Sequence, residues 1–585
     1  HFFDAFKDKI LLPLAVQKAS KQLHNLEGDF PCASWLPTLV KDTNAELLTW
    51  EMLVGKETII DILIMGFYGL KLKIMRRKYW FLILAVITIL IAWGIHNITY
   101  PSLKDACALT TIQEISCGEI SIFDNSPSGD KKLGLDYFKK QQYDEAEKYF
   151  KKAFEQNSQD YETGIFRENS KVLKEETKGI QIFPVSVVIP TVDKSEKITY
   201  SASKATIQGI YNQQKKFNDD NNKNKLLIVI ANDNNDTGPE NQNGQAQNVA
   251  KELITRKIYA IIGPFSSKVA YYTKHFYTNK QIVVMSYANT GTSTTYNDTK
   301  TGKYITHDLT KDSPFYFRVS TTNKQQAHIL ADHFERNKYD NLILFYQDED
   351  IFSGSFGQEF KKYWTSTDQE KNFNLDGKNK ITDERYLGNI TEPTIDEILK
   401  NAKKQNLGIV LCPGSYTQVN NRTNKEKTDF SNSRYILKNY TEQILIGSCN
   451  VIHGDEDTIK QAKNLKNIVV TGSWFYAPNN INDQFKKGQE IWKKEKVNYH
   501  TESFISIALA QDAVMIITEA LSKVNKPSGS ELQQYLADPG HKFYGITGEI
   551  FFTKSDRNLD TSVLITPKCE TKECNKWGGE WEIVK

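Results

Sequence analysis

"YAIIGPFSSKVA", residues 259–270, drives a run of buried-strand residues into a Gly-Pro break and then sets two serines where a helix should begin. This is the strand–turn–helix step of an open α/β sheet, and Ser266 and Ser267 fall at its carboxyl edge. Outward from it, "FPVSVVIP", "KLLIVIA" and "QIVVMS" alternate with helix-patterned stretches at 203–217, 243–256 and 266–278. That is the βαβ rhythm of a parallel sheet covered on both faces. The rhythm repeats with "NLILFYQD", "LGIVLCPG", "QILIGS" and "NIVVTGS", separated by helices near 324–337, 354–364, 395–404 and 456–464. Two such series predict two α/β lobes facing each other.

Composition excludes several functions. A formal net charge of +3, from 74 basic and 71 acidic residues among 585, gives no field that would hold nucleic acid. The ten histidines and seven cysteines form no His-x-x-x-His or Cys-x-x-Cys array, so no metal site and no cofactor are expected. "GPFSS" lacks the spacing of a phosphate loop, and "NDNNDTGPENQNG" lacks the closing acid of a calcium loop and reads as a surface loop.

Residues 79–98 decide the compartment. In "YWFLILAVITILIAWGIHNI" the run from Trp80 to Ile95 carries no charge, and as a helix the 20 residues reach about 30 Å, one hydrocarbon core. Lys71, Lys73, Arg76, Arg77 and Lys78 precede it, so the positive-inside rule keeps the N-terminal flank in the cytoplasm. A single-pass inner-membrane protein with its C-terminal part in the periplasm is expected. No small-x-small cleavage site follows the span, which argues for a retained anchor rather than a signal peptide. Six of the seven cysteines lie beyond the span, as suits an oxidising space. Cys107 with Cys117, and Cys569 with Cys574, are disulfide candidates; Cys412 and Cys449 read equally well as free buried thiols.

Residues 1–55 begin with His and read as a piece of a longer chain. "HFFDAFKDKILLPLAVQKASKQLHNLEGDFPCASWLPTLV" with "LTWEML" resembles the C-terminal end of a CHAT domain, a caspase-like module whose catalytic Cys and His would lie upstream of residue 1. A basic linker, 56–78, leads to the span, and a second linker, 99–130, follows it. Residues 131–176 resemble a tetratricopeptide unit: Gly134, Leu135, Phe138, Tyr143, Ala146, Phe150, Ala153 and Phe154 fall at helix-pair spacing. One repeat lacks stacked neighbours to complete its core, so it reads as a packed spacer.

Residues 180–567 resemble type I periplasmic binding proteins of the leucine-binding group, the substrate-binding proteins of ABC transporters. Six blocks carry the resemblance in order: "YAIIGPFSSKVA", "QIVVMSYANTGT", "SPFYFRVSTTNKQQAHILADHF", "DNLILFYQDEDIFSGSFGQEF", "FISIALAQDAVMIITEAL" and "FYGITGEIFFT". It implies a two-lobed α/β fold with a hinge, lobe 1 from about 180–320 and 474–550 and lobe 2 from 321–473, then a C-terminal hairpin at 568–585. The whole resembles a cyanobacterial membrane-tethered receptor linked to a CHAT effector.

The resemblance also implies a site. Ser267 and Thr290 would hold a ligand carboxylate and the Ala288 carbonyl its ammonium, with Ser266 and Asn289 at the same edge. Phe352, Ser353 and Tyr416 would form the lid from lobe 2, and Tyr200 would approach from lobe 1. Serine at a helix start is a preferred cap with or without a ligand, so both roles stay open for each serine. One position departs from the family: where an acid should pair with the ammonium, this chain has Cys449 after Ser448. A thiol is no anion at neutral pH unless activated. The expected function is therefore a non-enzymatic solute-binding receptor, without catalytic residues, that closes on a small amino-acid-like or carboxylate ligand. It would work with a transporter permease or a cytoplasmic effector; the alternative is a sensory or scaffolding part of a CHAT protease-linked effector.

With the anchor in place, protease added outside intact spheroplasts is expected to digest residues 180–585 and to spare an epitope before residue 70. Protection of the C-terminal region would reverse the topology.

Overall fold

The computed structural model describes residues 106–107, 112–175, 180–191, 197–220, 224–238, 243–298, 301–366, 379–414, 424–440, 443–450, 456–475, 504–525, 527–569 and 577–584. The CHAT-like stretch, the basic linker and the expected span at 79–98 lie outside them.

A two-residue strand, β1 (Ile115–Ser116), is followed by three helices, α1 (Gly129–Lys139), α2 (Tyr143–Gln156) and α3 (Tyr161–Lys174). Lobe 1 then builds its sheet from β2 (Gln181–Ile189), β3 (Asn224–Asn232), β4 (Ala260–Ile262), β5 (Val283–Ser286) and β8 (Tyr316–Arg318). Helices α4 (Lys197–Asp219), α5 (Gln245–Leu253) and α6 (Ser267–Asn279) are the crossovers, and a hairpin, β6 (Ser293–Asp298) with β7 (Lys303–Asp308), interrupts the last connection. Lobe 2 follows with α7 (Asn323–Arg336), β9 (Asn341–Tyr346), α8 (Ile351–Thr365), β10 (Lys380–Tyr386), α9 (Glu392–Gln405), β11 (Gly408–Leu411), α10 (Asn424–Asn439), β12 (Ile446–Ser448), α11 (Glu456–Gln461) and β13 (Ile468–Gly472). The chain returns to lobe 1 for α12 (Phe504–Lys523), α13 (Gly529–Ala537), the hairpin β14 (Phe543–Gly545) with β15 (Gly548–Ile550), and β16 (Phe552–Thr553) with β17 (Asp556–Arg557). It ends on lobe 2 with β18 (Val563–Cys569) and β19 (Trp577–Ile583).

The two sheets run β1-β3-β2-β4-β5-β8-β17-β16 and β10-β9-β11-β12-β13-β18-β19. Their inner strands are parallel, and β1, β16, β18 and β19 pair antiparallel at the edges. Two boundaries differ from the sequence reading. Residues 568–585 are no separate hairpin, because β19 pairs with β18 as the outer strand of lobe 2. Lobe 1 runs past 550, because β17 pairs with β8.

The helices before lobe 1 are not a spacer. Their apolar faces continue into the lobe: Leu135, Phe150 and Phe166 share one buried cluster with Val187, Ile230 and Val514. Phe154 of α2 meets Tyr211 of α4 with ring centroids 5.2 Å apart. A lone helix pair cannot bury its faces, and here the lobe supplies the missing neighbour. On α3, Asn169 closes the edge of β3. Its Nδ2 donates to the Ile228 and Cys117 carbonyls, both at 2.7 Å, while its Oδ1 accepts from Ile228 N at 3.0 Å and Gln214 Nε2 at 2.8 Å. Cys107 and Cys117 are joined in a disulfide, which holds the loop before this contact.

Among the described residues one helix, Ile505–Lys523, is long and apolar enough to cross a membrane, and 72% of it is buried as a core helix of lobe 1.

Asn169→Ala leaves Ile228 N and O and the Cys117 carbonyl buried without partners. The expected loss is on the order of 3 kcal/mol. It should appear as a lower thermal midpoint and as faster hydrogen exchange at the Ile228 amide, where the wild-type amide stays protected.

Candidate functional site

The carboxyl edge of lobe 1 is built by three loops. After β4 the chain passes a cis Gly263–Pro264 bond and turns into α6. Ser266 is the helix cap, its Oγ accepting from Val269 N at 3.2 Å. Ser267, 3% exposed, accepts instead from Gly291 N at 3.2 Å, so its hydroxyl ties the α6 start to the loop after β5. In that loop the Asn289 amide donates to the Pro264 carbonyl at 2.5 Å and to Ser286 Oγ at 2.6 Å. Ala288 is half-buried beside it. The Thr290 carbonyl accepts from Asn323 N at 2.7 Å, while its Oγ1, fully buried, has no hydrogen-bond partner among the described residues.

Arg318, which the sequence reading missed, lies under the same loop. It is fully buried, with Nε on Asp556 and Nη1 donating to the Gly291 carbonyl at 2.6 Å; its Nη2 has no partner among the described residues. Nothing local marks this arginine, because its carboxylate partner is 238 residues away. The edge thus gathers two buried donors, Thr290 Oγ1 and Arg318 Nη2. Burying such groups unpaired is costly, and an anionic oxygen within reach would satisfy either.

Lobe 2 meets this edge at Gly291. A Cβ there would lie 2.8 Å from Ser267 Oγ and 3.0 Å from the Ile351 carbonyl, so only glycine lets the lobes approach. Asp350 caps α8 by accepting from Phe352 N at 3.0 Å and Ser353 N at 2.8 Å. Phe352, 8% exposed, packs in the lobe 2 core, and its carbonyl accepts from Asn323 Nδ2 at 2.6 Å.

Three of the expected ligand contacts need correction. Ser353 is buried between Gln347 N, from which it accepts at 2.7 Å, and the Cys412 carbonyl, to which it donates at 2.5 Å, so its hydroxyl serves the lobe itself. Cys449 is no thiol: it is bonded to Cys412, and both are fully buried. That bridge ties the ends of the neighbouring strands β11 and β12. Tyr200 turns toward the segment before the lobe, its ring 6.3 Å from Phe123, and lines a cavity of about 990 Å³ with Phe123, Thr191 and Asn232. Tyr416 and Cys574 lie outside the described residues; Cys569 is disulfide-bonded.

The stretch read as a surface loop holds a buried acid. Asp233, at the end of β3, is 1% exposed; its Oδ1 accepts from Asn235 N at 2.9 Å, and its Oδ2 has no partner among the described residues. Burial pushes its carboxyl up to about 7, against the pull of the Asn235 N–H and with a small push from Asp236. No group of three or more metal-ligating side chains occurs among the described residues.

The model of the receptor family ligand binding region matches residues 214–566, more than half of the chain. The chain belongs to this family. A substrate-binding protein of an ABC transporter from Desulfitobacterium hafniense, solved in complex with Leu, shares the fold of the receptor-family domain. The TM-score is 0.50 at 17% identity, covering 69% of this chain and 100% of that one. The branched-chain amino acid binding protein LivJ from Streptococcus pneumoniae, in complex with isoleucine, matches at a TM-score of 0.48 and 15% identity, over 69% and 100%. A solute-binding protein from Rhodopseudomonas palustris, in complex with 3,4-dihydroxy benzoic acid, matches at 0.46 and 17%, over 69% and 98%. No curated protein matches the chain. The receptor-family domain is a ligand-binding module of the type I periplasmic binding fold.

Asp233 makes stability depend on pH. Its folded pKa is raised above the ordinary carboxylate value, so its contribution is complete below about pH 4 and is lost as pH rises through 7. Asp233→Asn should flatten the thermal midpoint between pH 4 and about 7 and raise stability at pH 8 by on the order of 2–4 kcal/mol. An unchanged pH profile would show that the acid is not held neutral.

Proposed function

We propose that this chain is a membrane-anchored extracytoplasmic receptor that closes its two lobes on a small ligand bearing a carboxylate. The observation that carries the reading is the pair of buried donors at the lobe 1 edge, Thr290 Oγ1 and Arg318 Nη2, which have no acceptor among the described residues. The protein bound to Leu with which this domain shares its fold makes an amino-acid-like ligand the natural starting point. The disulfide at Cys449 shifts the preference, because that position offers neither a carboxylate nor a thiolate to an ammonium group. A carboxylate without a free ammonium fits better than leucine.

The connections between the lobes support closure. Two described segments cross between the lobes, 319–322 and 558–562, and they are stitched to each other and to the end of β13: Thr561 Oγ1 donates to the Ser473 carbonyl at 2.7 Å, Gln326 Nε2 to Ser473 Oγ at 3.2 Å, and Arg557 Nη1 to the Val319 carbonyl at 3.5 Å. Short crossings of this kind concentrate a rotation into a few residues while the lobes move as bodies. The span at 79–98 would hold the receptor-family domain at the outer face of the inner membrane, where a permease or, across the membrane, a cytoplasmic effector would be the partner that responds to its state.

A panel of amino acids, N-acylated amino acids and simple carboxylates, read by thermal shift, tests this. A ligand at about 100 times its Kd stabilises the domain by about 2.7 kcal/mol. Thr290→Val exchanges an unpartnered hydroxyl for a methyl, so the ligand-free midpoint should hold or rise while the shift falls; adding Ser267→Ala should abolish it. Leucine giving the largest shift, or the double variant keeping the full shift, would defeat the reading.

A further inference from the structure

The hairpin β6–β7 leaves lobe 1 and lies on lobe 2. Thr294 Oγ1 donates to the Asp348 carbonyl at 2.8 Å, Thr295 N to Gln358 Oε1 at 3.0 Å, and Gln358 Nε2 back to the Thr295 carbonyl at 2.6 Å. The approach is close enough that a Cβ on Gly354 of α8 would sit 2.3 Å from Thr294 Oγ1. Between this hairpin and the carboxyl ends of β9 and β10 is a cavity of about 640 Å³. It shares no lining residue with the Ser267 and Thr290 edge.

The walls are aromatic and the floor is charged. Tyr296 and Tyr304 come from the hairpin, Tyr346 and Tyr386 from the lobe 2 strands. Tyr304 is 79% and Tyr386 37% exposed, two of the five exposed large apolar side chains among the described residues, and they belong to opposite walls of one cavity. Tyr346 meets Tyr386 edge to face at 5.3 Å and donates its hydroxyl to Glu384 Oε1 at 2.6 Å. Lys361 holds the other oxygen of Glu384 at 2.5 Å. Both carboxylate oxygens are thereby fixed on donors, which sets the carboxylate plane in the floor.

No Val, Leu, Ile, Met or Phe lines the cavity, so its apolar surface comes mainly from tyrosine rings. That excludes an aliphatic ligand, for which small-molecule pockets offer mostly hydrophobic walls. An anion would meet three carboxylates, Asp348, Glu349 and Glu384, against two ammonium groups, one of them already on Glu384. A cation would gain from the rings but face Lys361 and Lys362. A neutral ring carrying many hydroxyls suits every feature. Its C–H faces stack on tyrosine, and each hydroxyl can both donate and accept, so it satisfies carboxylates, ammonium groups and amides such as Gln358 and Asn389 alike.

We propose that this cavity is a second ligand site, for a saccharide, held between the hairpin of lobe 1 and the β9–β10 edge of lobe 2. The volume falls within the range of about 300–1,000 Å³ usual for small-molecule sites and takes roughly one or two sugar rings. A sugar seated there touches both lobes and fastens the hairpin to lobe 2.

The test uses the purified full chain with glucose, galactose, maltose and N-acetylglucosamine at millimolar concentration, read by saturation-transfer NMR and calorimetry, with choline and benzoate as the cationic and anionic comparisons. At least one sugar is expected to bind. Tyr304→Ala and Tyr386→Ala are each expected to weaken it about tenfold, or about 1.4 kcal/mol. The Tyr304 ring is largely exposed, so the thermal midpoint of Tyr304→Ala should stay at the wild-type value, whereas Tyr386→Ala also gives up its ring contact with Tyr346 and is expected to melt slightly lower; the carboxylate shift governed by Thr290 should persist in both. The proposal is overturned if no sugar in the panel binds, if choline or benzoate displaces every sugar from the site, or if sugar affinity is unchanged in the Tyr304→Ala, Tyr386→Ala double variant. Loss of the carboxylate response with sugar binding intact would strike the first site alone.

Discussion

An open parallel sheet has an edge, and in lobe 1 that edge is β3. Its backbone must find partners or invite another chain to supply them. Here the partners are a two-residue strand and one side chain: β1 pairs at Ala231 and Ile230, and Asn169 takes both groups of Ile228. The described residues before lobe 1 are arranged around that need. The Cys107–Cys117 bridge and the Arg256 Nη1 bond to the Ala106 carbonyl, at 3.0 Å, hold the β1 segment against the lobe, while α1 packs on α2 and α2 on α3. The helices are part of the lobe because the sheet edge requires them.

A second polar network fixes the far side of the same lobe. Asp512 on α12 accepts from Ile546 N at 2.6 Å and from both Thr547 N, at 2.9 Å, and Thr547 Oγ1, at 2.6 Å. Arg557 donates to Thr547 Oγ1 at 2.7 Å and to the Thr547 and Glu549 carbonyls at 2.8 and 2.9 Å. Burial pulls the Arg557 guanidinium down to about 10, with the Asp512 charge opposing that pull. Removing either partner would strand a buried charge, which is why such pairs resist single replacement. The same arginine reaches the Val319 carbonyl, so the anchored half of the domain runs directly into the crossings.

What could be read from the chain divides along the range of the interactions. The strands and crossover helices were legible because apolar runs and cap chemistry are local: "AIIGP" followed by a serine cap predicts β4 and α6 without knowledge of any other residue. The Ser266 cap is the clearest instance. The site was less legible because its chemistry is long-range. Cys449 is 37 residues from its partner, Arg318 is 238 from Asp556, and Ser353 reaches a carbonyl 59 residues on. Tyr200 misled for a different reason, since its direction is set by Phe123 in a segment that reads as a linker. The hairpin β6–β7 gave no strong signal, because "STTYND" and "KYITHD" are largely polar and all but one of their residues are at least partly exposed.

The fusion of α1–α3 to lobe 1 has a mechanical consequence. A rotation about the crossings leaves β1, the three helices and the lobe 1 sheet as one fixed frame, while β18 and β19, paired onto β13, travel with lobe 2. The strand pair near the end of the chain is thus a pointer carried by the moving half, and the helical segment is its stationary mount. Any closure would be measured between the two, so a partner seated only on the helices would register nothing, and one that spans helix and pointer would register the full swing.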